Sequence, residues 1–74
     1  MKNSGIIIRL PDNRMVIVYD RQPLAKEKGK IILNLVDENH NLIKGEDGKP
    51  KVIMKDIHVY NEEMQVATLI GYVD

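Results

Sequence analysis

The sequence has no cysteine, which excludes disulfide staples, thiolate nucleophiles and thiolate zinc sites. It has no phenylalanine and no tryptophan, so its aromatics are Tyr19, Tyr60 and Tyr72 alone. Grooves that read proline-rich peptides are lined with aromatics, and barrels that bind single strands stack bases on them. Three tyrosines supply neither well, which argues against a proline-peptide binder even on an SH3-like scaffold. Hydroxyl nucleophiles are as scarce: one serine, Ser4, and one threonine, Thr68. Alanine, the strongest helix former, occurs only twice. No stretch approaches the roughly 20 apolar residues that span a bilayer. The longest apolar run is Met15 to Tyr19, and Arg9 stops Ile6-Ile7-Ile8 too early for a signal-peptide core. The expectation is a cytoplasmic protein with no membrane partner.

What is present is one-sided. Ten isoleucines and seven valines in 74 residues favour pleated, half-buried strands. The length fits one small domain, residues 1–74. Eleven cations balance eleven anions, which speaks against a generic nucleic-acid coat. A chain this short without staples buries its apolar residues efficiently or gains core by self-association.

The pattern predicts an all-β chain: strands at Ile6–Leu10, Met15–Asp20, Lys30–Val36, Leu42–Lys44, Lys51–Met54, Ile57–Tyr60 and Ala67–Val73. The fifth and sixth are readable as one strand bulged at Lys55-Asp56. Pro11-Asp12-Asn13 is turn chemistry, with Asn13 suited to the left-handed closing position, so the first two strands form a hairpin. Pro23 and Gly29 bracket a helical turn, and Asn61 caps a second over Asn61–Met64. Strands this short most simply hide their edges by curling. The expected architecture is a small SH3-like or OB-like barrel, a rolled antiparallel sheet of five or six strands with at most two short helical turns. An open meander completed by a partner's strand is second. The expected core is Ile8, Val16, Val18, Ile31, Leu33, Leu35, Val52, Ile57, Val59 and Leu69.

No catalytic constellation is legible. The histidines, His40 and His58, sit in a turn and a strand, apart in sequence from Ser4 and Thr68. The pairs Asp37-Glu38, Glu46-Asp47 and Glu62-Glu63 read as solvated charge, because neighbours on a strand point to opposite faces. Asp37, Asn39 and Asn41 have the opening spacing of a calcium loop, but Leu42 and Gly48 stand where that loop needs Gly and Glu. The same residues are what a turn wants. The expectation is no enzyme, no metal and no cofactor. Phosphate binding is more interesting. Residues 1–36 carry seven cations against three anions, and residues 37–74 carry four against eight. Arg21, Lys26, Lys28 and Lys30 crowd the connection 21–30 and are the candidates for holding a nucleotide, a nucleic acid or an acidic partner. The consecutive isoleucines at 6–8 and 31–32 give strands that are apolar on both sides, and a single small barrel has one inside. Ile7 and Ile32, with the strand-end tyrosines Tyr60 and Tyr72, are therefore the candidates for protein contact and for a homo-oligomer.

The order of segments resembles short uncharacterised accessory proteins of bacterial phages and mobile elements. The resemblance is carried by Leu10-Pro11-Asp12-Asn13-Arg14 before Val16-Ile17-Val18-Tyr19, then Lys30-Ile31-Ile32-Leu33 and Val36-Asp37-Glu38-Asn39. Glu46-Asp47-Gly48-Lys49-Pro50-Lys51 and Ile70-Gly71-Tyr72-Val73-Asp74 complete it. It implies a non-catalytic accessory role, of the kind that binds or inhibits a host enzyme, a defence component or a nucleotide signal, and it transfers no site residue. The leading expectation is a binding module for a host or defence protein. The alternative is a small barrel that binds a nucleotide or nucleic acid through the basic loop 21–30.

Overall fold

The computed structural model describes residues 4–74. Its five strands are β1 (Gly5–Arg9), β2 (Met15–Tyr19), β3 (Lys30–Leu35), β4 (Val52–Asp56) and β5 (Thr68–Val73). Two helices interrupt them, α1 (Pro23–Glu27) before β3 and α2 (Ile57–Met64) before β5. The strands form one antiparallel sheet in the order β4-β3-β2-β1-β5. The first four strands meander, and α2 carries the chain back so that β5 adds beside β1. The chain is thus all-β with two short helices, as its composition implies. The sheet is open where a closed barrel was expected: β4 and β5 lie at opposite edges and do not pair.

The hairpin forms as its turn residues dictate. Gly5 to Arg9 pairs with Tyr19 to Met15, Leu10 N–H donates to Arg14 O at 2.8 Å, and Asn13 takes φ 77. Gly5 is required by close approach: a Cβ there would run into the Val18 carbonyl, and Tyr19 Cα would lie 2.9 Å away. Pro23 opens α1, and Gly29 at φ 71 ends it. The segment after Val36 is a tight turn in which Asp37 Oδ1 accepts from the N–H groups of Asn39 and Asn41, with no calcium-loop geometry needed. The expected strand at Leu42–Lys44 reduces to two single bridges, Val36 with Leu42 and Lys44 with Pro50. Three backbone hydrogen bonds close a triangle there: Ile43 N–H to Leu35 O, Leu35 N–H to Lys51 O, and Lys51 N–H to Ile43 O.

Both faces of the sheet are apolar. Under α2 lie Ile8, Val16, Val18, Ile31 and Leu33, closed by Tyr60 of α2 with Ile57 and Met64 packed beside it. On the opposite face Ile7, Met15, Ile17 and Val36 are buried with Tyr19, Leu42 and Val73 against them. The two-sided apolar strands are therefore covered by the chain itself, without a second copy over Ile7.

Three expected core residues and one element are corrected. Ile57–Tyr60 is the start of α2: Ile57, Tyr60 and Met64 follow the helical spacing of three and four and face the sheet, while Val59 is left outside at 38% exposure. Ile57 and Val59 alternate, which mimics a strand. The helix consequently starts after Asp56, and Asn61 lies inside it rather than capping it. Val52 and Leu69 are each 51% exposed, because they stand on the two edge strands where no helix covers them.

One side chain stitches the sheet. The paired register of β2 with β3 spans only Val16–Leu35 and Ile17–Asn34. Two residues further on, where Tyr19 comes opposite Ile32, the strands part and the Gln22 amide fills the gap. Ile32 N–H donates to Gln22 Oε1 at 2.6 Å, and Gln22 Nε2 donates to the carbonyls of Ile32 at 2.9 Å and Tyr19 at 2.8 Å. A primary amide reproduces both halves of a backbone peptide, and glutamine has the reach. Gln22→Ala leaves three part-buried backbone groups unpaired. The expected cost is about 1–3 kcal/mol, a fall of roughly 5–15 °C in thermal midpoint, read by circular dichroism. A midpoint unchanged from the parent would show that water replaces the amide at no cost.

Candidate functional site

The four cations of the connection 21–30 split into two pairs. Arg21 and Lys26 border one hollow, beside Asp20 and Pro23, and Lys26 Nζ donates to the Asp20 carbonyl at 2.8 Å. Lys28 and Lys30 border another, and Lys30 is ion-paired with Asp56 across β3 and β4. That pairing holds the Asp56 carboxyl below its ordinary range, with His58 adding a weaker pull. Charge asymmetry along the chain is redistributed by the topology. Strands from the basic half are central, and the two strands from the acidic half flank them.

The second hollow has more to offer than charge. Leu24 and Ala25 of α1, Ile32 of β3 and Met54 of β4 line a shallow groove of about 140 Å³, with Lys28 and Lys30 completing the wall. The register explains it: Ile32 lies opposite Met54, so both project to the same face, and α1 lays Leu24 alongside. Leu24 is 75% exposed and Met54 60% exposed. Methionine is adaptable and is favoured on surfaces that accept varied partners. A wider hollow of about 400 Å³ sets Arg9 and Arg14 among Asp37 and Glu38. Arg14 is tied to Asp12 at 2.5 Å, and Arg9 Nη1 donates to the Asn13 carbonyl at 3.2 Å. Charges of both signs there give no selective field for an anion.

The expected contact residues are placed as follows. Ile7 and Tyr60 are buried, at 5% and 8% exposure, and are structural in this fold; neither offers surface to a partner. Ile32 is half-buried in the groove wall, and Tyr72 is 73% exposed on β5. Leu24, Met54 and Val66 are not among the residues that the sequence pattern singles out for contact. The signal was present in Leu24, an apolar residue in the polar stretch Gln22-Pro23-Leu24-Ala25-Lys26, and in Met54, which alternates out of phase with Ile53.

Ser4 and Thr68 lie at opposite ends of β1, Ser4 preceding Gly5 and Thr68 paired with Arg9. His40 stands in the 37–41 turn with φ 66, and His58 is exposed in the first turn of α2. Among the described residues no group of three or more His, Asp or Glu side chains is placed to hold a metal ion, and no helix is long and apolar enough to cross a membrane. Comparison of the chain with protein-family models, curated proteins and solved structures finds no match.

Burial pushes the Tyr60 phenol above its ordinary value near 10, with the Asp20 carboxylate adding to the shift. The folded state therefore favours the neutral phenol. Its contribution is intact below about pH 10, the unfolded value. It is lost as pH rises from there through the folded value, because the unfolded chain ionises first. Tyr60→Phe should accordingly hold its stability above pH 10 better than the parent in paired denaturant melts. Parallel alkaline limbs for the two chains would contradict this.

Proposed function

We propose that this chain is a non-catalytic binding module of the phage or mobile-element accessory type, and that its ligand is a host or defence protein. The observation that carries protein binding is the groove between α1 and the β4 edge; the accessory type rests on the resemblance of the segment order. Leu24, Ile32 and Met54 offer an apolar seat, and Lys28 gives its margin a positive charge, while Lys30 beside it is paired with Asp56. The chemistry fits an apolar anchor side chain flanked by acidic residues. Apolar burial supplies affinity, and charge at the rim supplies orientation and association rate. The scarcity of hydroxyl nucleophiles supports a role without turnover. The alternative, a nucleotide or nucleic acid on loop 21–30, is less well served. Its four cations divide between two hollows, and one of them is already paired with Asp56.

Affinity capture from a bacterial host lysate tests the reading. The parent chain should retain one stoichiometric protein at moderate salt. Leu24→Asp/Met54→Asp should lose it while melting within about 0.5 kcal/mol of the parent, since both side chains are exposed. Lys28→Ala should weaken capture mainly at low salt. Recovery of nucleic acid alone, with a log–log salt slope near −0.7 per phosphate contact, would favour the alternative. Capture indifferent to the groove substitutions would overturn the proposal.

A further inference from the structure

Oxidation has few places to act on this chain. With no cysteine and no tryptophan, the thioethers of its four methionines are the groups that peroxides attack most readily. The fold sorts them by access. Met15 is 7% exposed, buried with Ile7, Ile17 and Val36 on the sheet face opposite α2. Met64 is half-buried and packs with Ile57 against the core under α2. Met54 is 60% exposed, and among the described residues it is the one methionine with most of its surface in solvent.

Its place in the sheet gives that exposure a consequence. Met54 stands opposite Ile32 in the β3–β4 register and shares the groove wall with Leu24 of α1. The seat is small, about 140 Å³, so one side chain is a large share of its lining. A thioether is apolar and adaptable, which suits an apolar anchor. A sulfoxide is polar, and its oxygen holds water by hydrogen bonds. An apolar anchor entering the groove must then strip that oxygen of water without offering it a donor.

We propose that Met54 is a modification site, and that its oxidation to the sulfoxide turns the α1–β4 groove against its protein partner. This rests on the reading of that groove as the partner's seat. The oxidant is a hydroperoxide. A lone pair of the Met54 sulfur attacks the terminal oxygen of the peroxide, so the S–O bond forms as the O–O bond breaks. Sulfur gives up two electrons and the peroxide accepts them. The proton on the transferred oxygen passes to the departing oxygen, which leaves as water when the oxidant is hydrogen peroxide. The step adds one oxygen and no charge. Lys28 and the Lys30–Asp56 pair keep their charges, so the loss of binding does not depend on salt. Leaving one polar group unpaired in a contact lowers affinity roughly 5- to 100-fold.

Treatment of the full chain with hydrogen peroxide, followed by peptide mapping, reads each methionine separately. Met54 should gain one oxygen well ahead of Met64 and Met15, with the circular dichroism melt unchanged at one oxygen per chain. Capture from host lysate should then fall roughly 5- to 100-fold at low and moderate salt alike. Met54→Leu treated the same way should retain its partner, which assigns the loss to this sulfur. Methionine sulfoxide reductase with dithiothreitol should restore capture by the oxidised parent. Met15 or Met64 oxidising as fast as Met54 overturns the site. Undiminished capture by the oxidised chain, or a loss that Met54→Leu shares, overturns its effect on the groove. An untreated parent that captures nothing overturns the groove reading and this effect with it, while the order of oxidation in the peptide map still decides the site.

Discussion

The sheet depends on a glutamine acting as a piece of backbone. With two residue pairs in register against five at each of the others, the β2–β3 seam is the shortest in the sheet, and it lies between two inner strands. Backbone groups at a central seam need partners, since unpaired buried ones cost about 1–3 kcal/mol each. Gln22 satisfies both polar groups of Ile32 and the carbonyl of Tyr19. Its position explains α1 as well. The Gln22 carbonyl accepts from Lys26 N–H at 3.0 Å, so the residue that mends the sheet also begins the helix. That helix holds Leu24 beside Ile32 and Met54. The groove and the seam are two consequences of one insertion between strands.

Coverage explains the rest of the surface. α1 has five residues and α2 has eight, and α2 packs on β3 and β4. The turn after Val36 brings Leu42 over the opposite face. This covering material protects the middle strands and runs out at the edges. Val52, Met54, Leu69 and Tyr72 are exposed for that reason. A chain of 74 residues cannot hide every apolar side chain that its strands require.

Local signals in the sequence determine structure where a single residue type fixes the backbone. Asn13 at the hairpin, Pro23 and Gly29 around α1, and Asp37 in its turn act within a few positions of themselves. The alternation Ile31, Leu33 with Val16, Val18 marked the helix-covered face correctly. Failures came where a period was ambiguous or a partner was distant. Ile57 and Val59 fit a strand, and only Tyr60 and Met64 together show the helical spacing. The barrel expectation failed because edge hiding was assumed, whereas β5 joins β1 and leaves two edges open. The groove was half legible. Lys28, Lys30 and Ile32 were marked, but Met54 arrives from twenty-two residues beyond Ile32 through the β3–β4 register. Gln22 gave no sign at all, because its three hydrogen bonds require strands that diverge in space.

The apolar content that suggested self-association proves to be divided by the fold into two kinds. Ile7 and Ile17 look surplus in a one-sided sheet, yet Leu42, Tyr19 and Val73 absorb them. Leu24, Met54, Leu69 and Tyr72 sit in less suspicious contexts and remain open. A run of consecutive isoleucines is thus a poor guide to an interface, because the chain invests its covering elements where apolar density is highest. Exposure concentrates where density is low and the chain has nothing left to cover with. In this molecule that places one open apolar surface at each edge. The β4 edge has lysines around its groove, and the β5 edge has none, so the two differ in the kind of surface they can accept.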